Sequence, residues 1–146
     1  MKTILLIGPC NCGKTTTMNL VCDKISSQGK FIEPKEHIEG ACETDFRCVI
    51  EYKTKTIALF SMGDFFRKVT AKIKASIEKK YDILVICCND GFKSLDKLIK
   101  NYDCEVVRKS KEKEPQLYQQ ANIECCEKIV ETVDSIIDSL TTGGSK

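Results

Sequence analysis

The chain has no apolar run approaching the roughly 18 residues that a membrane-spanning helix requires, which argues against a transmembrane segment. The first apolar stretch, Thr3–Ile7, is too short for a signal-peptide core, and a lysine-bearing loop follows it directly, so no secretory leader is expected. Neither sign of charge dominates. With 23 basic and 21 acidic side chains the net charge is +2, which gives no compositional reason for nucleic acid or an anionic membrane as partner. There is a single histidine, His37. Its neighbours Glu36, Glu39 and Cys42 are too few and too widely spaced for a zinc site. No Cys-x-x-Cys pair, internal repeat or low-complexity segment occurs.

What is present is a one-domain length of 146 residues, 42% apolar and 30% charged, long enough to bury a real core. Cysteine is the exception to this ordinary composition, with ten residues. Several lie inside apolar runs such as Leu84-Val85-Ile86-Cys87-Cys88, where a thiol behaves as a small core group. A reduced, cytoplasmic protein is therefore expected rather than a disulfide framework.

The unbroken apolar run Thr3–Ile7 predicts a central parallel strand buried on both faces. Met18, Val21, Cys22 and Ile25 repeat at helical spacing, and Gly29 is a plausible stop. Residues Lys30 to Asp45, with Pro34, Gly40 and a spread of carboxylates, predict a long acidic loop. Phe46–Tyr52 and Thr56–Met62 are strand-like, and the three residues between them permit only an antiparallel hairpin. Phe66, Val69, Ile73 and Ile77 form a helical stripe. Tyr81–Cys88 reads as a further buried strand, with Asp90 or Ser94 capping a helix through Phe92, Leu95, Leu98 and Ile99. Cys104–Val107 predicts a last strand. A charged loop, Arg108–Glu114, leads to one long helix from Pro115 to Leu140. The expected product is an α/β domain over residues 1–140 with a flexible polar tail, 141–146. Its form is a three-layer α/β/α sandwich of about five strands, mostly parallel, with one antiparallel edge strand from the hairpin. Ligands of such sheets sit at the carboxyl ends of the strands.

At the end of the first strand stands Gly8-Pro9-Cys10-Asn11-Cys12-Gly13-Lys14-Thr15, a full match to G-x-x-x-x-G-K-[ST]. The strand before it and the amphipathic helix after it supply the context this motif needs. Gly8 and Gly13 let backbone approach phosphate oxygens, and Asn11 tolerates positive φ. The amides from Asn11 through Cys12 and Gly13 to Thr16 form an anion nest at a helix N-terminus. Lys14 is expected to reach the β and γ phosphates, Thr15 to ligate Mg²⁺, and Thr16 to touch the α phosphate. Cys12 lies beside Lys14 at the helix start, so its alkylation should block nucleotide binding.

These residues resemble the Walker A loop of the P-loop nucleoside triphosphatases. In detail the loop is similar to the G-x-x-N-x-G-K-[ST] variant of bacterial ribosome-assembly-type GTPases, which also tend to carry an asparagine shortly after, as Asn19 does here. The hairpin after an acidic loop is likewise similar to the GTPase core. Two GTPase motifs are missing. Phe60-Ser61-Met62-Gly63-Asp64 stands where D-x-x-G belongs, with acid and glycine inverted, and Cys88-Asn89-Asp90-Gly91 stands where N-K-x-D belongs, with no lysine in register. The resemblance thus implies a nucleoside triphosphate and Mg²⁺, with ATP favoured over GTP because the guanine motif is absent.

Asp64, after an apolar strand, is the expected second metal-side and catalytic carboxylate beside Lys14, with Asp90 as rival. Arg67 and the loop cations Arg108, Lys109, Lys111 and Lys113 are candidates to face phosphate or base, although solvated surface positions explain them as well. The lysines of the helix after Asp64 have no aromatic residues among them, so they read as a solvated face rather than a nucleic-acid surface. Three functions remain open. The favoured one is an ATPase or small kinase. The second is a nucleotide-gated adaptor with negligible turnover, and the third is a GTPase with a divergent base pocket. Neither an acceptor nor a protein partner is identified by the sequence.

Overall fold

Ile4, Leu5, Leu6 and Ile7 are at most 1% exposed, and the alternation of a strand sends them to two separate cores. A continuous apolar run is typical of a strand with parallel neighbours, and β1 (Lys2–Gly8) has them: β5 (Ile83–Asn89) on one side and β6 (Cys104–Arg108) on the other. The computed structural model describes residues 1–9, 12–38, 44–63 and 66–143. Within them β2 (Lys30–His37), β3 (Phe46–Tyr52) and β4 (Lys55–Phe60) complete a six-stranded mixed sheet in the order β2-β3-β4-β5-β1-β6.

Helices cover both faces of this sheet. α1 (Lys14–Ser26) lays Met18, Val21, Cys22 and Ile25 against one face, beside Cys125, Cys126, Ile129, Val133, Ile136 and Ile137 of α4 (Tyr118–Gly143). α2 (Phe66–Glu78) and α3 (Leu95–Asn101) cover the other with Val69, Ile73, Leu95 and Leu98. Cys87 and Cys88, adjacent on β5, fall one into each core. Burial holds both thiols neutral, Cys87 well above the usual thiol range and Cys88 at about 11, so they pack rather than react. Among the described residues the cysteines are free thiols, and no described helix is long and apolar enough to cross a membrane.

The hairpin forms as expected, β3 antiparallel to β4. Lys53 and Thr54 turn it with φ of 50° and 69°, the left-handed pair that matches strand twist in a tight hairpin. Its place in the sheet differs from expectation. β2 occupies part of the stretch read as a loop and pairs antiparallel with β3, so the sheet has six strands rather than about five. β3, the strand that runs against the rest, is therefore second from the edge. All eight residues of β2 are exposed, and its ladder shifts register around Pro34, which has no N–H to give. Such a strand has no apolar period to announce it.

Smaller differences follow local geometry. α1 ends at Ser26, three residues before Gly29. Ile77 of the α2 stripe is exposed, and Ser76 is buried instead. Pro115–Leu117 form a 3₁₀ turn ahead of α4. α4 itself runs to Gly143, so the first residues of the expected tail are helical.

Gly63 lies where β4 ends against β5. A Cβ there would fall 2.5 Å from both the carbonyl carbon and the oxygen of Cys87. Gly63 also accepts a hydrogen bond from the Asn89 amide at 3.0 Å. Backbone cannot yield as a flexible side chain does, so Gly63→Ala should lower unfolding stability by about 1–3 kcal/mol. Urea denaturation would show this as a lower midpoint at unchanged slope, and an unchanged midpoint would contradict the close approach.

Candidate phosphate-binding site

The loop after β1 begins under restraint from its neighbours. The Lys109 amide donates to the Ile7 carbonyl at 2.8 Å, and the Asp90 amide donates to the Gly8 carbonyl at 3.1 Å. A Cβ on Gly8 would strike the Lys109 carbonyl oxygen at 2.5 Å and the Cys12 thiol at 2.8 Å. At the far end Gly13 takes φ 93° and stands at the N-cap of α1, and its carbonyl receives the Thr17 amide at 2.9 Å. This backbone suits glycine. Space requires glycine too, since a Cβ would meet Oδ1 of Asn122, on α4, at 2.5 Å. Among the described residues no side chain caps α1, and its first turn holds no acidic residue. A helix start leaves amide hydrogens and positive potential unanswered, and here nothing in the first turn answers them.

Lys14 is 8% exposed. Its ammonium folds back over the loop and donates to the carbonyls of Gly8 at 2.8 Å and Pro9 at 2.7 Å, with the Cys12 sulfur 3.9 Å away. The cation of α1's first residue is thus held on the carbonyls that begin the loop.

Thr15 points to the other side. Its hydroxyl donates to Oδ1 of Asp45 at 2.8 Å, and that oxygen also accepts from the Ser61 hydroxyl at 2.8 Å. Asp45 is 4% exposed and precedes β3, while Ser61 follows β4. The two strand ends are tied by the Phe46 amide donating to the Ser61 hydroxyl at 2.8 Å and the Ser61 amide donating to the Phe46 carbonyl at 3.0 Å. Asn19 supports Thr15 from the next turn, donating to its carbonyl at 3.0 Å and accepting from Lys35 of β2. Lys35 in turn rests 4.6 Å over the ring of Phe46. Beyond Asp45 opens a cleft of about 340 Å³, bordered by Asn19, Lys35, Glu36, His37 and Phe46.

A second recess, of about 160 Å³, adjoins the opposite flank of the loop. It lies between Cys12, Gly13 and Thr16 on one side and Lys109, Lys111, Glu112, Tyr118 and Asn122 on the other. Asn122 is buried and accepts from the Thr17 hydroxyl at 3.4 Å.

Gly8, Cys12, Gly13, Lys14, Thr15 and Thr16 are therefore brought together around one helix start. Asn11 and Asp64 lie outside the described residues. Asp90 is exposed at the end of β5, Arg67 is exposed on α2, and His37 is exposed on the rim of the larger cleft. Of the loop cations, Arg108, Lys111 and Lys113 are exposed and Lys109 is buried. Cys12 is 8% exposed, its sulfur turned beneath Gly8, so it is less open to alkylation than a loop thiol promises. Sequence reasoning missed Asp45, Ser61 and Asn122. The first two had a signal, because the hairpin register pairs Arg47 with Phe60 and thereby sets residues 46 and 61 side by side. Asn122, on a helix more than a hundred residues along the chain, had none. No protein-family model, curated protein or solved structure matches this chain.

Proposed function

We propose that the chain is a P-loop protein that binds a Mg²⁺–nucleoside triphosphate at the β1–α1 loop and acts on its terminal phosphate, by transfer or hydrolysis. One juxtaposition carries this reading. The first residue of α1, Lys14, carries a buried ammonium, no described side chain caps that helix start, and the next residue, Thr15, is bonded to a buried carboxylate, Asp45. A cation and free amides suit the phosphates. A hydroxyl and a carboxylate, both hard oxygen donors, suit Mg²⁺. The helices on both sheet faces and the loop's place at the carboxyl end of β1 support a three-layer α/β/α arrangement of the P-loop kind.

In this reading the amides of Gly13 to Thr16 cradle the phosphate chain, and Lys14 turns from the Gly8 and Pro9 carbonyls to β and γ oxygens. Thr15 and Asp45 would hold the metal, which would supply positive charge against the phosphate chain. Ser61 keeps the Asp45 carboxylate aimed at Thr15. Catalysis of this class is positioning and charge stabilisation. The cleft beyond Asp45 gives water or an acceptor hydroxyl access to the terminal phosphate.

A nucleotide-gated adaptor is the second reading. It is favoured by the chain of bonds from Thr15 through Asn19 to Lys35 on β2. β2 carries exposed Phe31 and Ile32 at the sheet edge, so a change at Thr15 has a path to a partner-facing strand.

Thermal unfolding with a panel of Mg²⁺–nucleotides tests the shared claim. Nucleotide at a hundred times its Kd should add about 2.7 kcal/mol of stability, and no stabilisation by any triphosphate would refute it. Phosphate release then separates the two readings. Tight binding without turnover, alone or with acceptors, would leave only the adaptor.

A further inference from the structure

Lys109 is 7% exposed and lines the smaller recess. Among the described residues no hydrogen bond or ion pair holds its ammonium. An ammonium that no protein group engages is available to an acceptor that a ligand brings. The recess adjoins Thr16, the residue next along the helix from the Thr15–Asp45 metal side. A triphosphate whose γ end lies at Lys14 and Thr15 therefore carries its nucleoside into this recess.

Resting on the phosphate reading above, we infer that the recess is a nucleobase pocket and that it selects guanine. Its polar lining is lopsided. Lys109 and Lys111 offer ammonium donors. Asn122 offers mainly its amide donor, because its oxygen faces Gly13 and accepts from Thr17. Glu112 is the carboxylate acceptor. Guanine presents two acceptors, O6 and N7, along one edge, which lysine reads well, and two adjacent N–H donors, N1 and N2, that a carboxylate can take together. Adenine would set its N6 amino group against ammonium donors and offers no second N–H group beside it. Tyr118, half-exposed at the mouth, supplies a ring that stacks on any base. The missing N-K-x-D motif alone favours ATP. The donors and the acceptor that line this recess favour GTP.

Calorimetric titration of the whole chain with Mg²⁺ and GTP, ITP, ATP or inorganic tripolyphosphate tests this. GTP should bind at least roughly tenfold more tightly than ATP, with ITP, which lacks the 2-amino group, between them. Glu112→Gln should weaken GTP by roughly tenfold and ATP far less, with an unchanged urea midpoint showing that the variant is folded. Tyr118→Ala should weaken both purines alike. ATP binding as tightly as GTP, or Glu112→Gln weakening GTP and ATP equally or GTP not at all, would overturn the guanine assignment. Tripolyphosphate binding as well as either nucleotide would overturn the base pocket while leaving the phosphate site standing. If tripolyphosphate also fails to bind, the phosphate reading itself has failed.

Discussion

Lys14→Ala is expected to weaken Mg²⁺–triphosphate binding by at least roughly a hundredfold. Charge-assisted hydrogen bonds are worth about 1.5–3 kcal/mol each, and Lys14 can make two to phosphate in place of the two it now makes to the Gly8 and Pro9 carbonyls. Two such bonds come to about 3–6 kcal/mol, and every 1.4 kcal/mol is a factor of ten in Kd. Stability should change less, because the Gly8 carbonyl keeps its bond from the Asp90 amide and the Pro9 carbonyl is only part-buried. A direct titration, with a urea transition as the folding control, separates the two effects. Near-normal affinity in a folded Lys14→Ala protein would mean that the ammonium only staples the loop.

Asp45→Asn should remove the benefit of Mg²⁺ and leave metal-free binding intact. An amide oxygen can still accept from Thr15 and Ser61, so the tie between the ends of β3 and β4 survives. The charge that would hold a cation does not. In wild type, chelating the metal should weaken nucleotide binding roughly tenfold or more. In Asp45→Asn, affinities with and without Mg²⁺ should converge, and adding Thr15→Ala should cost little further, because the two groups act on one ion. An undiminished Mg²⁺ effect in Asp45→Asn would move the metal-side role elsewhere, with Asp64 as the first alternative.

The parts of this site that were legible in the sequence are those whose cause is local. Gly8, Gly13, Lys14 and Thr15 fall within one strand–loop–helix unit, where spacing along the chain is spacing in space. The hairpin was legible because three intervening residues leave no other connection. β2 was not, since all of it is exposed and Pro34 interrupts its ladder, so no apolar period marks it. In the sequence Asp45 is one more acid in an acidic stretch. Its importance comes from Thr15, 30 residues away, and Ser61, 16 residues away, which only the sheet brings within hydrogen-bond reach. Lys109 shows the converse. A cation in a charged run reads as solvated, yet the end of β6 carries it under the first loop, its amide bonded to Ile7 and its carbonyl packed on Gly8. Charge runs are read by composition, and composition does not say which member of the run the fold turns inward.

The central claim, that a triphosphate sits on the α1 helix start, is tested most directly by mapping backbone amide shifts in solution as a Mg²⁺–nucleotide is added. The largest changes should fall on Gly13, Lys14, Thr15 and Thr16, with a second group at Asp45 and Ser61. Shifts absent at saturating nucleotide, or centred away from the β1–α1 loop, would contradict it.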